Sequence, residues 1–216
     1  MEPARSLHPS LKPANSSTPI EHGVATFIQP GQTESGDKYV VRNFGGGILI
    51  AVIDGLGHGD EAAAASNLAV STLELNAEQS VISLLKLCHK ALMGTRGAVM
   101  SLASINLIEE TVTWIGVGNV EAALVHSDTR MTPLHEHVLI RGGVVGYNLP
   151  HLQATVVPII AGDLLIFKTD GISEGFDDEY AIEEPPQKIA DRICTKHAKG
   201  TDDGLVVVIR YKGGSK

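Results

Sequence analysis

The sequence predicts an α/β (α+β) fold in which two packed, mainly antiparallel β-sheets are flanked by helices, an α-β-β-α sandwich. Short β-branched segments bounded by turn residues outnumber helical ones by a wide margin. The stretch 100–126 reads as a meander, turning at Glu109-Glu110 and again at Gly118-Asn119, which makes antiparallel pairing the natural choice. Each of three amphipathic helical segments must bury its apolar stripe, and the surface available is the face of a sheet. So many strands beside so few helices are too many for one sheet. Two sheets face to face with helices outside is the economical arrangement.

Taken in order, residues 1–20 carry Pro3, Pro9, Pro13 and Pro19 among serines and asparagines, too little apolar content to pack, and read as a disordered leader. The folded domain is expected over 21–211, with strands at 23–29, 38–43, 47–53, 100–107, 111–117, 121–126, 152–158, 163–168 and 205–211. Gly45-Gly46 suits a two-residue hairpin turn with positive φ, and counting outward from it sets Asp37 opposite Asp54; a bulge at Gly47 shifts that register by one. An alanine-rich helix starts with the acids Asp60 and Glu61 and runs to Leu75. The next covers 80–93, with Val81, Leu84, Leu85, Cys88 and Leu92 on one face and Gly94 as its stop. Pro185-Pro186 opens a third, in which Ile189, Ala190, Ile193, Cys194 and His197 share a face before Gly200. Residues 212–216 read as a weakly ordered tail.

The chain of 216 residues is long enough for one substantial core, and its formal charge of −8, with no basic stripe, argues against nucleic acid or an anionic membrane as partner. Cys88 and Cys194 fall inside amphipathic helices and read as buried thiols. No apolar run approaches a membrane span, and the amino terminus lacks a signal peptide's hydrophobic stretch, so a cytoplasmic monomer is expected.

Four aspartates sit where strand-like runs begin or end: Asp37, Asp54, Asp170 and Asp202. In an antiparallel sheet one strand's start lies beside its neighbour's end, so these carboxylates can gather at one edge of one sheet. Crowded carboxylates repel by about 4 kcal/mol per pair at 4 Å and an effective dielectric of 20. Either some are protonated or hard divalent cations neutralise them, and metal is the reading preferred here. The glycines at 55, 57 and 59 let backbone approach close to Asp54, with the Gly55 carbonyl as a further oxygen ligand; the bland alternative is a tight turn that Asp54 merely caps. A dinucleotide-binding glycine fingerprint fails, because Asp60 stands where its third glycine belongs and a second helix follows the first. Asp203, beside Asp202, is the ambiguous member of its pair.

Ser35-Gly36-Asp37, Asp54-Gly55-Leu56-Gly57-His58-Gly59, Thr169-Asp170-Gly171 and Asp202-Asp203 before a β run, in this order and spacing, resemble the metal-dependent type 2C-like protein serine/threonine phosphatases, in their bacterial sporulation and stress-response branch. The resemblance implies a β-sandwich flanked by helices. It also implies hydrolysis of phosphoserine or phosphothreonine on a protein, by a metal-bridging water activated by two Mn2+ or Mg2+ ions. In matching positions Asp54 bridges the metals, Asp170 and Asp202 hold one, and Asp37 with the Gly55 carbonyl helps hold the other. His58 then reads as a supporting loop residue rather than the proton donor. Asn119 stands where many relatives carry histidine, and Asp203-Gly204 departs from the usual hydroxyl after the acid pair. The Gly118-Asn119-Val120-Glu121 version looks like the small RsbX-type phosphatases, which act on stressosome components, so phosphorylated scaffold or switch proteins with helical, STAS-like phosphosites are the expected partners.

The acidic stretch from Asp170 to Glu184, including Asp177, Asp178 and Glu179, reads as a solvated loop, or else as a screen against acidic phosphoproteins or a weak third cation site. Two rival functions remain: a silent module that binds phosphoproteins without hydrolysing them, and a calcium-stabilised β protein.

Overall fold

Strand β3 (Gly47–Gly55) is buried along nearly its whole length, and its two faces serve two different cores. Ile48, Ile50 and Val52 pack with Leu165, Phe167, Val207 and Ile209, whereas Leu49, Ala51 and Ile53 pack with Leu73, Leu84, Leu85 and Cys88. The period-2 alternation of a strand produces this division, and each of its isoleucine, leucine and valine side chains contributes roughly 1.5–3 kcal/mol on burial.

The computed structural model describes residues 18–175 and 181–214. One sheet comprises β2 (Asp37–Phe44), β3, β4 (Ala98–Asn106), β5 (Thr111–Val117) and β8 (Ile140–Arg141) in that order, with β9 (Thr155–Pro158) also paired to β5. The other runs β1 (Ile20–Phe27), β11 (Gly204–Tyr211), β10 (Leu164–Lys168), β6 (Glu121–Val125) and β7 (His135–His137). Helices α1 (Asp60–Leu75) and α2 (Val81–Leu92) cover the first sheet, and α3 (Pro186–His197) covers the second. A third core, with Ile189, Ala190 and Ile193 against Leu164, Ile166, Val206 and Val208, fills the space beneath α3. The layers are therefore α-β-β-α, as the sequence predicts.

The β2–β3 register runs unbroken from Phe44 opposite Gly47 to Asp37 opposite Asp54, with no bulge. Only Gly46 of the turn pair takes a positive φ, at 86°. Ser80 caps α2, accepting from the Ser83 N–H.

Several expectations need correction. The 100–126 meander breaks after β5: β4 and β5 pair, but β6 pairs with β10 in the other sheet. The Gly118-Asn119 turn thus carries the chain between sheets, and buried Val120 joins the core between them. Ile20, assigned to the leader, opens β1 opposite Tyr211 and is buried. The Lys212 N–H, assigned to the tail, donates to the Pro19 carbonyl at 2.8 Å. β1 spans Ile20–Phe27 rather than 23–29, and β9 begins at Thr155, not 152. Strands β7 and β8 are too short to leave a periodic signature. Residues 1–17, 215 and 216 of the leader and tail, and Asp177, Asp178 and Glu179 of the acidic stretch, lie outside the described residues. Cys88 and Cys194 are free and buried as expected, and desolvation pushes the Cys88 thiol up to about 12.

Candidate metal centre

Asp37 and Asp54 face one another across the open end of the β2–β3 hairpin. Asp170 follows the end of β10, and Asp202 precedes β11, whose residue Val206 lies opposite Lys168 of β10. The four aspartates therefore come from two sheets, two from each, and not from one sheet edge as the sequence suggested. The reason is the sheet change after β5, which puts β10 and β11 opposite the hairpin rather than beside it.

Two hydrogen bonds show that both pairs sit at the same end of the sandwich. The Thr169 hydroxyl donates to Asp37 Oδ2 at 2.7 Å, and the Gly36 N–H donates to Asp203 Oδ2 at 2.8 Å. Thr169 is fixed in turn, because its Oγ1 accepts from the Leu205 N–H at 2.9 Å and its own N–H donates to the Leu205 carbonyl at 3.1 Å. On the hairpin side, the Gly36 carbonyl accepts from the Ser66 hydroxyl at 2.5 Å and from the Gly55 N–H at 3.2 Å. Ser66 is fully buried in α1, so the helix that covers the sheet also sets Gly55 relative to Asp37.

The adjacent acids of the last motif differ in surroundings. Asp203 is buried, with Oδ1 accepting from the Gln29 N–H at 2.8 Å and Oδ2 from Gly36. Asp202 is exposed, and its Oδ1 accepts from the Asp203 N–H at 2.9 Å. Gly171 packs so tightly on this segment that a Cβ would stand 1.7 Å from the Asp203 carbonyl oxygen, which only glycine tolerates. Asp170 is half-buried, and the Asn119 amide donates to its Oδ2 at 2.7 Å. His58 is exposed, and its Nδ1 lies 3.4 Å from the Gln32 side-chain amide.

Crowding shows in the electrostatics. Burial, then the negative charges of Asp37, Asp170, Asp202 and Asp203, raises the Asp54 carboxyl to about 8. Asp37 is raised to about 7, again chiefly by burial and against the lowering effect of the Thr169 hydrogen bond. Among the described residues no three acidic, histidine or cysteine side chains already stand in a coordinating array. The donor set is nonetheless all oxygen and mutually repulsive, with Asp37 and Asp54 largely desolvated, which fits hard divalent cations. Asp37, Asp54, Asp170, Asp202 and the Gly55 carbonyl are the groups available to hold them.

A cavity of about 500 Å³ opens beside Asp170, lined by Asn119, Glu121, Lys168, Ser173 and Lys199 among others. Lys168 is buried, and its Nζ donates to Glu121 at 2.9 Å and to the Ile172 carbonyl at 3.0 Å. Sequence reasoning assigned no role to Thr169, Ser66 or Lys168. A hydroxyl inside an alanine-rich buried stripe, and a lysine closing an otherwise apolar strand, are the signals that mark the last two.

Comparison with known proteins gives a consistent picture. The family described as Stage II sporulation protein E (SpoIIE) matches residues 45–212, a span that begins after Asp37. The phosphoserine phosphatase RsbX of Bacillus subtilis (strain 168) is 32% identical over 105 residues, 49% of this chain and 53% of that protein, so the match spans about half the relative's length. A solved structure from work on the bacterial stressosome as a modular system adapted to secondary-messenger signalling is 30% identical, with a TM-score of 0.80 over 88% of this chain and 99% of that one. RsbX in complex with magnesium is similar in fold, with a TM-score of 0.78 at 21% identity, covering 88% of this chain and 94% of that one.

Proposed function

Because the chain belongs to the Stage II sporulation protein E (SpoIIE) family, we propose that it is a metal-dependent protein serine/threonine phosphatase. The observation that carries this reading is the gathering of carboxylates from two sheets at one end of the sandwich, with Asp37 and Asp54 raised far above the usual carboxylate range. Asp37, Asp54, Asp170, Asp202 and the Gly55 carbonyl would hold the cations, with Asp54 shared between them, Asp170 and Asp202 on one and Asp37 with the Gly55 carbonyl on the other. When bound, Mn2+ or Mg2+ supplies an activated water and offsets charge on the phosphoryl oxygens. Magnesium in the complex of the RsbX fold relative is compatible with that pair.

The chain's own residues set the geometry. Thr169 orients Asp37, Asn119 orients Asp170, and Asp203 holds the Gly36 backbone so that Asp37 stays opposite Asp54. His58, hydrogen-bonded towards Gln32, steadies the loop after Asp54. The substrates are phosphoserine or phosphothreonine on stress-signalling proteins, stressosome scaffold or switch components, in keeping with the RsbX relative and the stressosome structure. Among the described residues no helix is long and apolar enough to cross a membrane.

The test is phosphate release from p-nitrophenyl phosphate and from a phosphoserine protein, with Mn2+, with chelator, and in Asp54→Asn. Turnover that needs Mn2+ and is lost in the variant is expected. Calorimetric metal binding without turnover would instead point to a silent phosphoprotein-binding module.

A further inference from the structure

Arg96 lies over the loop that follows Asp54. It belongs to the segment between α2 and β4, which is tied to that loop: the Leu56 N–H donates to the Gly97 carbonyl at 3.1 Å. Thr95 braces the segment, its hydroxyl donating to the Leu92 carbonyl at 2.7 Å and accepting from the Gly97 N–H at 3.0 Å. Gly57 leaves room for the arginine, since a Cβ there would stand 3.0 Å from Nη1 and its φ is +95°.

The guanidinium meets Glu61, in the first turn of α1, through Nε. Both side chains are more than half exposed, at 56% and 69%, and such a pair adds little to stability. It is therefore readily exchanged for another anion, and the planar Nη fork is shaped for a carboxylate or phosphate. Beside Arg96 runs a groove of about 500 Å³ lined by Ala64, Ala65, Leu68 and Thr95. Leu68 is 40% exposed, and none of the four site aspartates lines this groove. Glu61 and Arg96 both border this groove, so a carboxylate that takes the place of Glu61 meets the guanidinium at the mouth of an otherwise apolar surface next to the loop after Asp54.

We infer that Arg96 and this groove form a subsite for the substrate segment flanking the phosphorylated residue, with a substrate carboxylate on the guanidinium and an apolar side chain against Ala64 and Leu68. The inference rests on the phosphatase reading. None of the four site aspartates lines the groove, so the segment it holds is assigned to a residue beside the phosphorylated one.

The test uses labelled phosphoserine peptides carrying one leucine and a glutamate at successive flanking positions, each matched by a glutamine version. KM and kcat are measured with Mn2+, and binding by fluorescence anisotropy in chelator. The wild type should favour one glutamate peptide over its glutamine match by about fivefold, the scale of one partly exposed ion pair. Arg96→Ala should erase that preference with kcat intact, Arg96→Lys should restore part of it, and Glu61→Gln should strengthen it. Leu68→Ser should weaken both peptides alike, and p-nitrophenyl phosphate should be hydrolysed equally by all. A wild type without a glutamate preference, a preference that survives in Arg96→Ala, or an equal loss on p-nitrophenyl phosphate overturns the subsite. Absence of all turnover sinks the phosphatase reading instead, and the anisotropy series then decides the subsite alone.

Discussion

The Thr169 hydroxyl donates to Asp37 Oδ2 at 2.7 Å, joining the end of β10 in one sheet to the start of β2 in the other. Both residues are buried, and the same oxygen of Thr169 accepts from the Leu205 N–H. Thr169→Val keeps the shape but leaves a carboxylate oxygen and a backbone N–H without partners. The expected cost is about 1–3 kcal/mol in urea unfolding, with weaker Mn2+ binding, while Thr169→Ser stays close to wild type. Equal Mn2+ affinity in the valine and serine variants, measured by calorimetry, would show that the bond does not position Asp37.

The raised carboxyls predict a pH dependence opposite to that of an ordinary salt-bridged acid. Asp37 and Asp54 titrate at about 7 and 8 in the folded protein, above the unfolded value of roughly 3.9. Between those limits the folded state holds more protons than the unfolded state, so rising pH removes stability. The metal-free protein should melt progressively lower from near pH 5 to near pH 8.5, and added Mn2+ or Mg2+ should raise the melting temperature more at the upper end. Asp37→Asn combined with Asp54→Asn should flatten the metal-free slope. A double variant with the wild-type slope would place the titration elsewhere.

Local pattern made much of this legible. The Asp37–Asp54 pairing follows from counting outward from Gly45-Gly46, because a hairpin's register is set at its turn. Helices α2 and α3 follow from apolar periodicity and their start and stop residues, and α1 from an alanine-rich run behind Asp60 and Glu61. The sheet change after β5 was not legible. A three-residue Gly118-Asn119-Val120 connection reads the same whether the next strand pairs with its predecessor or crosses to a facing sheet, and only packing of Val120 between the sheets decides. The division of labour between Asp202 and Asp203 was hidden for a similar reason, since it depends on Gln29 and Gly36, more than 160 residues away in sequence.

That same connection places Asn119 against Asp170, with the amide donating to Oδ2 at 2.7 Å. Asn119 is exposed at a turn, so Asn119→Ala should leave the metal-free melting temperature nearly unchanged. Loss of one hydrogen bond to a charged group, worth about 1.5–3 kcal/mol where it orients a ligand, should lower Mn2+ affinity by roughly tenfold or more. Asn119→Asp should instead lower the metal-free melting temperature by like-charge repulsion, and saturating Mn2+ should recover the loss. If Asn119→Ala binds Mn2+ as tightly as wild type, Asp170 is positioned by its own turn.

Asp202 and Asp203 should separate chemistry from architecture. Asp203 is buried and accepts from two backbone N–H groups, of Gln29 and Gly36, on segments that precede β2. Asp203→Ala strands both donors, and each hydrogen bond to a charged acceptor is worth about 1.5–3 kcal/mol, so unfolding free energy should fall by several kcal/mol in total. Asp203→Asn keeps one acceptor and should recover part of that loss. Asp202 is exposed and, among the described residues, accepts from its neighbour's N–H alone, so Asp202→Asn should cost about 1 kcal/mol or less in stability. In the metal-dependent phosphatase reading it should nevertheless remove most Mn2+-dependent turnover. A variant series in which Asp202→Asn keeps full turnover and Asp203→Asn, still folded, loses Mn2+ binding would reverse the two roles and make the buried acid the ligand.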